Sequence, residues 1–241
     1  MIVSEIMTTK LVTVTADDTL SHAANLLRQF QIHQLPVVRH AHTTEQERQK
    51  SLLLLEGLLT LQDIDLAMAL EKQSSSTDVL RRPWHEQRVN EVMHRAAIRV
   101  TPTTSVAAAA QVLVERGLSC LPVVEYEYTE HETQTVLVGL LTRSDLLIVL
   151  ARSMGAFEPG MQLIIALPSG DLTPLAQTLL LATQLHVQVR SIMAAPLEGG
   201  IPHAAILRLG TINPAPLLVR LQEAKIEYTF ADPLEEGNID A

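Results

Sequence analysis

Two threonine and aspartate pairs in this chain are placed to do chemistry. Thr60 precedes Asp63, and Thr142 precedes Asp145, each inside the segment Gly-Leu-Leu-Thr-x-x-Asp that begins at Gly57 and again at Gly139. A threonine at a strand end, followed three residues later by an aspartate, puts both side chains at the first turn of a helix. There the two oxygens of a carboxylate suit the adjacent hydroxyls of a ribose. The same spacing is also the helix capping box, in which Thr60 and Thr142 accept from free backbone N–H groups and Asp63 and Asp145 reach back. The two roles are compatible. A phosphate beside that ribose needs positive charge, and here the pairs differ: Arg143 follows Thr142, where Leu61 follows Thr60, and Arg99 lies near the strand that opens the second segment. Just ahead of the next apolar strands stand His33 and Gln34, and at the matching place Ser119 and Cys120. The alternative for Arg99 and Arg143 is a solvated surface arginine. So few cations leave room for a ligand of little negative charge.

The elements that must hold these residues are written twice. Val-Ser-Glu-Ile-Met at Val3 returns as Val-Asn-Glu-Val-Met at Val89, and Leu-Pro-Val-Val at Leu35 returns at Leu121, both 86 residues on. Gly57 to Gly139 is 82, so the first copy carries about four extra residues in its charged loop. Leu20, Ala23, Ala24, Leu27 and Phe30, and then Val106, Ala109, Ala110, Leu113 and Gly117, follow the three-and-four spacing of a helix with one apolar face. Leu35 to Val38, Leu52 to Leu59, Leu121 to Val124 and Val136 to Leu141 read as short strands covered on both sides. Each copy is therefore expected to run strand, helix, strand, strand, helix. One copy alone buries little surface, a physical reason for finding two.

With these motifs in register, residues 1 to 155 resemble a tandem of CBS domains, a Bateman module. The resemblance rests on the Val-x-Glu-[Ile/Val]-Met openings, the Leu-Pro-Val-Val strands and the two Gly-Leu-Leu-Thr-x-x-Asp segments. It implies two units packed sheet to sheet about a pseudo-twofold axis, with clefts for adenosine compounds such as AMP, ADP, ATP or S-adenosylmethionine. Thr60, Asp63, Thr142 and Asp145 would take the ribose. His33, Gln34, Arg99, Ser119 and Arg143 would take the phosphate or base. The resemblance also implies a homodimer of such modules.

From about Met161 the pattern changes to βαββαβ: Gln162 to Leu167, Leu172 to Gln184, Val187 to Met193, Ala204 to Leu209, Pro214 to Ala224 and Ile226 to Phe230. That is the ferredoxin-like order of two split crossovers on one antiparallel sheet. Residues 160 to 232 resemble an ACT domain in the Pro168-Ser-Gly-Asp turn that leads into the first helix. The resemblance nominates Gly170 and Asp171 for an amino acid, while the same pair is equally a turn followed by a helix cap. The order CBS, CBS, ACT-like is similar to bacterial proteins of the acetoin-utilisation type.

The expected fold class is α+β: a first CBS unit over 1–75, a linker and second unit over 76–158, and an ACT-like domain with a short acidic tail over 159–241. Ser74, Ser75 and Ser76 mark a mobile linker, and Trp84, beside Arg81 and Arg82, either stacks on a base or packs on its own domain. The loop from Arg39 to Lys50, with His40, His42, Glu45 and Glu47, lacks the tight spacing of a metal site and reads as a solvated hairpin loop. Cys120, the one cysteine, excludes an internal disulfide and reads as packing.

With 27 acidic against 18 basic residues, the chain lacks the electrostatic footprint of a nucleic-acid binder. Its first residues lack the basic and apolar regions of a secretory signal, and no apolar run approaches the roughly 18 residues of a membrane span. A cytoplasmic protein is expected, with neither a nucleic acid nor a membrane as partner. No nucleophile beside a base and no phosphate-cradling glycine loop is legible. The expectation is therefore a non-enzymatic, ligand-sensing regulatory module with no obligatory cofactor, whose adenosine ligand acts on the ACT-like domain or on a separate regulated protein. The alternatives are a dimerising scaffold with vestigial clefts and a small enzyme.

Overall fold

The computed structural model describes residues 1–42, 51–73, 82–95, 98–128, 133–194, 202–211 and 213–230. The chain is of the mixed α+β class and divides into two compact units, Met1–Leu147 and Ile148–Ala241. In the first unit, α1 (Leu20–Phe30) opens at Thr19, whose hydroxyl accepts from the His22 N–H at 3.2 Å. Its counterpart α3 (Val106–Glu115) opens at Ser105, which accepts from Ala108 N–H at 3.1 Å. These are side-chain caps for helix N–H groups that have no partner within the helix. Leu20, Ala23 and Leu27, with Ala109 and Leu113, form the expected buried faces. Phe30 and Gly117 do not: Phe30 is 49% exposed, and Gly117 lies beyond α3. Both helices stop there because the chain turns left-handed, at Gln31 (φ 52°) and at Gly117 (φ 64°).

Two hairpins follow the helices. β1 (Gln34–His42) pairs with β2 (Ser51–Thr60), and β3 (Cys120–Tyr128) with β4 (Thr133–Thr142), both antiparallel. Arg39 to His42 thus belong to a strand rather than to a loop, while Glu45, Glu47, Ser74 to Ser76 and Arg81 fall outside the described residues. The strand expected before each helix is reduced to one parallel bridge, Val14 to Val37 and Val100 to Val123. α2 (Leu61–Gln73) follows β2, and α4 (Arg143–Ser153) follows β4.

The two hairpins join edge to edge in one sheet of order β1-β2-β4-β3, where face-to-face packing was expected. The joining pair is Leu54 with Val136. These residues are 82 apart, the same offset that separates Gly57 from Gly139, so each faces its own counterpart across antiparallel strands. A local twofold axis through the pair is the geometric consequence.

The openings of the two copies are exchanged. Val3 N–H donates to Thr104 C=O (2.9 Å) and Ser4 N–H to Pro102 C=O (3.0 Å), in the second copy. Val89 N–H donates to Asp18 C=O (2.9 Å) and Asn90 N–H to Ala16 C=O (3.0 Å), in the first. Val3 is accordingly buried with Leu113, Leu121, Val123 and Leu141, and Val89 with Leu20, Leu27, Leu35 and Leu59. Burying a valine or leucine side chain contributes about 1.5–3 kcal/mol, so each core depends on a residue from the other copy. The motif glutamates fix the entering 3₁₀ turns: Glu5 accepts from Ile2 N–H at 3.1 Å, and Glu91 from Arg88 N–H at 3.2 Å. Trp84 packs against the first core.

The second unit is β5 (Met161–Ala166), α5 (Thr173–Gln184), β6 (Val189–Met193), β7 (Ala204–Leu209), α6 (Ala215–Glu223) and β8 (Tyr228–Phe230). Its antiparallel sheet has the order β6-β7-β5-β8. The alternating residues Ala205, Leu207 and Leu209 of β7 are buried with Leu163 and Ile165 of β5 and with Leu217 and Leu221 of α6. This is the period-two pattern of a sheet covered on one face.

Candidate functional site

Each Thr-x-x-Asp segment lies where a strand passes directly into a helix. Asp145 Oδ2 accepts from Thr142 N–H (2.8 Å) and from the Thr142 hydroxyl (2.8 Å), and Asp145 N–H donates to Thr142 Oγ1 at 3.2 Å. Asp63 and Thr60 repeat this arrangement at 2.8, 2.7 and 3.3 Å. The capping reading therefore describes both boxes, and it uses only one oxygen of each carboxylate. The following helices are anchored alike, by Leu61 N–H to His33 C=O (2.9 Å) and by Arg143 N–H to Ser119 C=O (3.2 Å).

Gly57 and Gly139 have a spatial reason. A Cβ on Gly57 would stand 2.7 Å from the His94 carbonyl oxygen, and one on Gly139 would stand 2.5 Å from Met7 Sδ. The exchanged openings thus cross the strands where a side chain would block them, and antiparallel bridges Leu58–His94 and Thr8–Leu140 lie beside the crossings.

These crossings help to build an open cleft of about 390 Å³, lined by Thr8, Lys10, Leu11, Val12, Gln31, Ile32, His33, Gln34, Pro36, Ser119, Leu140, Thr142, Arg143 and Ser144. The volume lies in the range of small-molecule sites, about 300–1,000 Å³. Of the residues nominated from sequence, His33, Gln34, Ser119, Thr142 and Arg143 meet here, and Asp145 is bonded to Thr142 at its edge. Arg143 Nε donates to Leu118 C=O at 2.7 Å, which fixes the guanidinium while its terminal nitrogens have no protein partner among the described residues.

Arg99 is placed elsewhere. Its guanidinium lies over the Tyr126 ring at 5.7 Å and donates to Thr135 Oγ1 at 3.4 Å, because the chain at Arg99 runs beside the β3 and β4 hairpin. Thr60 and Asp63 are in the other half, where Asp63 Oδ1 lies 2.7 Å from His94 Nε2. Cys120 is buried, and burial pushes its thiol up to about 11 against an opposing hydrogen bond from Ser119, the reverse of an activated nucleophile.

Sequence reasoning missed Thr8, Lys10 and His94. No motif marks Lys10, which the fold alone brings to the cleft. Thr8 and His94 each directly follow a Val-x-Glu-[Ile/Val]-Met opening, 86 residues apart, but the differing residue types give that shared place no motif.

In the second unit Gly170 is left-handed (φ 78°), and Asp171 Oδ1 accepts from Thr173 N–H (2.9 Å) and from its hydroxyl (2.6 Å), at the entry to α5. These bonds hold the Asp171 carboxyl below its usual range. A smaller cleft of about 230 Å³ adjoins it, with Lys225 and Glu227 among its walls. Among the described residues, no group of three His, Cys, Asp or Glu side chains is arranged to hold a metal, and no helix is long and apolar enough to cross a membrane.

The family model for the CBS domain matches residues 3–69 and 89–152. The Bacillus subtilis CBS domain-containing protein YhcV is 27% identical over 146 residues, covering 61% of this chain and 83% of that one. A crystal structure of AcuB from Vibrio cholerae, described as an acetoin utilization protein, is 25% identical and covers 66% of this chain and 98% of its own, with a TM-score of 0.47. The CBS domain pair of the protein MJ0100, crystallised with 5′-methylthioadenosine and S-adenosyl-L-methionine, is 22% identical over 63% of this chain and 96% of its own, with a TM-score of 0.44.

Proposed function

The chain belongs to the CBS-domain family, and from that premise we propose that it is a regulatory sensor of an adenosine compound, of the AMP, ADP, ATP or S-adenosylmethionine class. One observation carries the reading: the cleft joins the Thr142 and Asp145 box to two cations, Lys10 and Arg143, from opposite copies of the repeat. The outer oxygen of Asp145 accepts from a ribose hydroxyl, and Lys10 and Arg143 face a phosphate. His33, Gln34 and Ser119 contribute hydrogen bonds to the base or phosphate. Lining residues from both copies make the ligand's affinity depend on how those copies are arranged, which is the requirement for a ligand to shift a conformational equilibrium. The signal passes to the carboxy-terminal unit or to a separate regulated protein. The βαββαβ order and the turn at Pro168–Gly170 support reading that unit as ACT-like, and the cleft with Lys225, Glu227 and Asp171 offers both charges an amino acid's ends require. Exposed Leu66 and Leu70 on α2 support pairing of two chains.

A thermal-shift screen tests the reading. A ligand at 100 times its dissociation constant stabilises the native state by about 2.7 kcal/mol, which raises the melting temperature of a unit this size by roughly 5–10 °C. A shift with one of AMP, ADP, ATP or S-adenosylmethionine that disappears in Asp145→Ala supports it. A flat response to all four favours a dimerising scaffold with vestigial clefts.

A further inference from the structure

The two halves of the repeat differ at one position that decides whether a carboxylate oxygen is open. Thr8 and His94 are counterparts: each lies in an exchanged opening, and each forms the antiparallel bridge beside its glycine crossing, Thr8 with Leu140 and His94 with Leu58. In one half His94 Nε2 sits 2.7 Å from Asp63 Oδ1, while Oδ2 is occupied by Thr60, so both oxygens of Asp63 are engaged within the protein. The imidazole takes the outer position, its side chain 73% exposed over a carboxylate that is 11% exposed. In the other half the shorter Thr8 makes no such bond, and Asp145 Oδ1 has no partner among the described residues.

We infer that His94 is an internal occupant of the place a ligand hydroxyl takes, so that the chain binds a phosphorylated adenosine compound once, in the Asp145 half. The inference rests on the reading of the chain as an adenosine sensor. Charge supports it independently: Lys10 and Arg143 line the Asp145 cleft, whereas the residues at the matching places of the repeat in the sequence are Ala96 and Leu61. The Asp63 box thus has no open carboxylate oxygen, and neither cation of the Asp145 cleft has a charged counterpart in the repeat. Thr8 and His94 set the number of sites, and the cations set the preference for a charged ligand.

Titration calorimetry of the full chain with AMP and with adenosine tests this. The parent binds one AMP, weakened tenfold or more in Asp145→Ala and within about twofold of the parent in Asp63→Ala. Thr8→His, which copies the closed half into the open one, weakens AMP tenfold or more with all four Thr and Asp residues of the boxes unchanged. His94→Thr, which copies the open half into the closed one, adds a second site that takes adenosine at least as well as AMP. Two equal AMP sites in the parent overturn the inequality, and so does an unchanged site count in His94→Thr. Those outcomes leave the adenosine reading standing. Absence of binding of either probe to the parent, Thr8→His and His94→Thr chains overturns the inference, and the adenosine reading falls with it when ADP, ATP and S-adenosylmethionine are silent as well.

Discussion

Replacing Gly57 with alanine tests the tightest crossing in the fold. The added Cβ would lie 2.7 Å from the His94 carbonyl oxygen and 3.0 Å from Met93 Sδ, roughly 0.6 Å inside the closest ordinary C···O approach of about 3.3 Å. That oxygen already accepts from Leu58 N–H at 2.8 Å, and His94 N–H donates back to Leu58 C=O at 2.9 Å, so the segment cannot recede without stretching both bonds. Overpacking of this kind costs about 1–3 kcal/mol, and we expect about 2 kcal/mol. Gly139→Ala is the control, because the three atoms nearest its new Cβ all belong to the Met7 side chain, with Sδ at 2.5 Å and Cγ at 3.0 Å, and a methionine swings aside readily. Urea unfolding followed by far-UV circular dichroism and by Trp84 emission reads the difference, since Trp84 packs on the core that contains Val89. With a urea slope of about 2 kcal/mol per molar, the Gly57→Ala midpoint falls by about 1 M and the Gly139→Ala midpoint by clearly less. Equal midpoints in the two variants would refute the argument that a backbone crossing, rather than a side-chain contact, requires glycine at position 57.

Val3→Ala destabilises the first unit by about 2 kcal/mol although it is the third residue of the chain, because Val3 is fully buried among second-copy side chains; chemical denaturation measures this. Gln31→Gly raises stability by roughly 0.5–1 kcal/mol, since Gln31 holds φ 52° where its counterpart is Gly117 at φ 64°; a higher unfolding midpoint checks it. Burial raises the Cys120 thiol from 9.0 to about 11, so the stabilisation from keeping it protonated is complete below pH 9 and is lost as pH rises from 9 to 11. The loss is about 2–3 kcal/mol, and Cys120→Ala flattens that part of the stability profile. The hydroxyl and N–H of Thr173 lower the Asp171 carboxyl below 3.8, so its stabilisation is present above pH 3.8 and is lost as pH falls below it. Asp171→Ala removes that acid-side loss, read as helix signal in an acid titration.

The repeat itself was legible because identical motifs recur at fixed offsets, and the helix caps and strand runs followed from local chemistry. What could not be read was which copy each segment folds into. Val3 and Val89 carry the same local pattern whether they pack on their own copy or on the other, and only three-dimensional closure decides between them. The same blindness hid Lys10, which reaches the cleft because its segment crosses over, and misplaced Arg99, whose contact with Tyr126 depends on the path of a neighbouring hairpin. Phe30 and Gly117 satisfied the helical spacing yet fell at the helix ends, because periodicity sees a face but not the left-handed turn that stops it.

The exchange of openings also bears on how a bound ligand can act. Sheet pairing between the hairpins rests on Leu54 with Val136, while the crossing segments tie each copy into the core of the other. A change in arrangement between the copies is therefore resisted at the crossings and, at the sheet joint, by the buried cluster of Leu52, Leu54 and Val136. The cleft spans one such crossing, with Thr8 and Lys10 on the segment that leaves the second copy and Thr142 to Ser144 where β4 enters α4. A ligand held by Lys10 and Arg143 together favours the arrangement that brings those two cations near one phosphate, and it shifts the equilibrium only by the affinity it loses in the other arrangement. Moving the population from 1:99 to 99:1 takes about a 10⁴-fold difference, near 5.5 kcal/mol, more than one charge-assisted hydrogen bond of about 1.5–3 kcal/mol provides. Either cation alone is insufficient for a full switch. Both acting on the same anion supply about 3–6 kcal/mol, which meets the requirement at its upper end, so Lys10→Ala should leave a chain that binds AMP but switches incompletely.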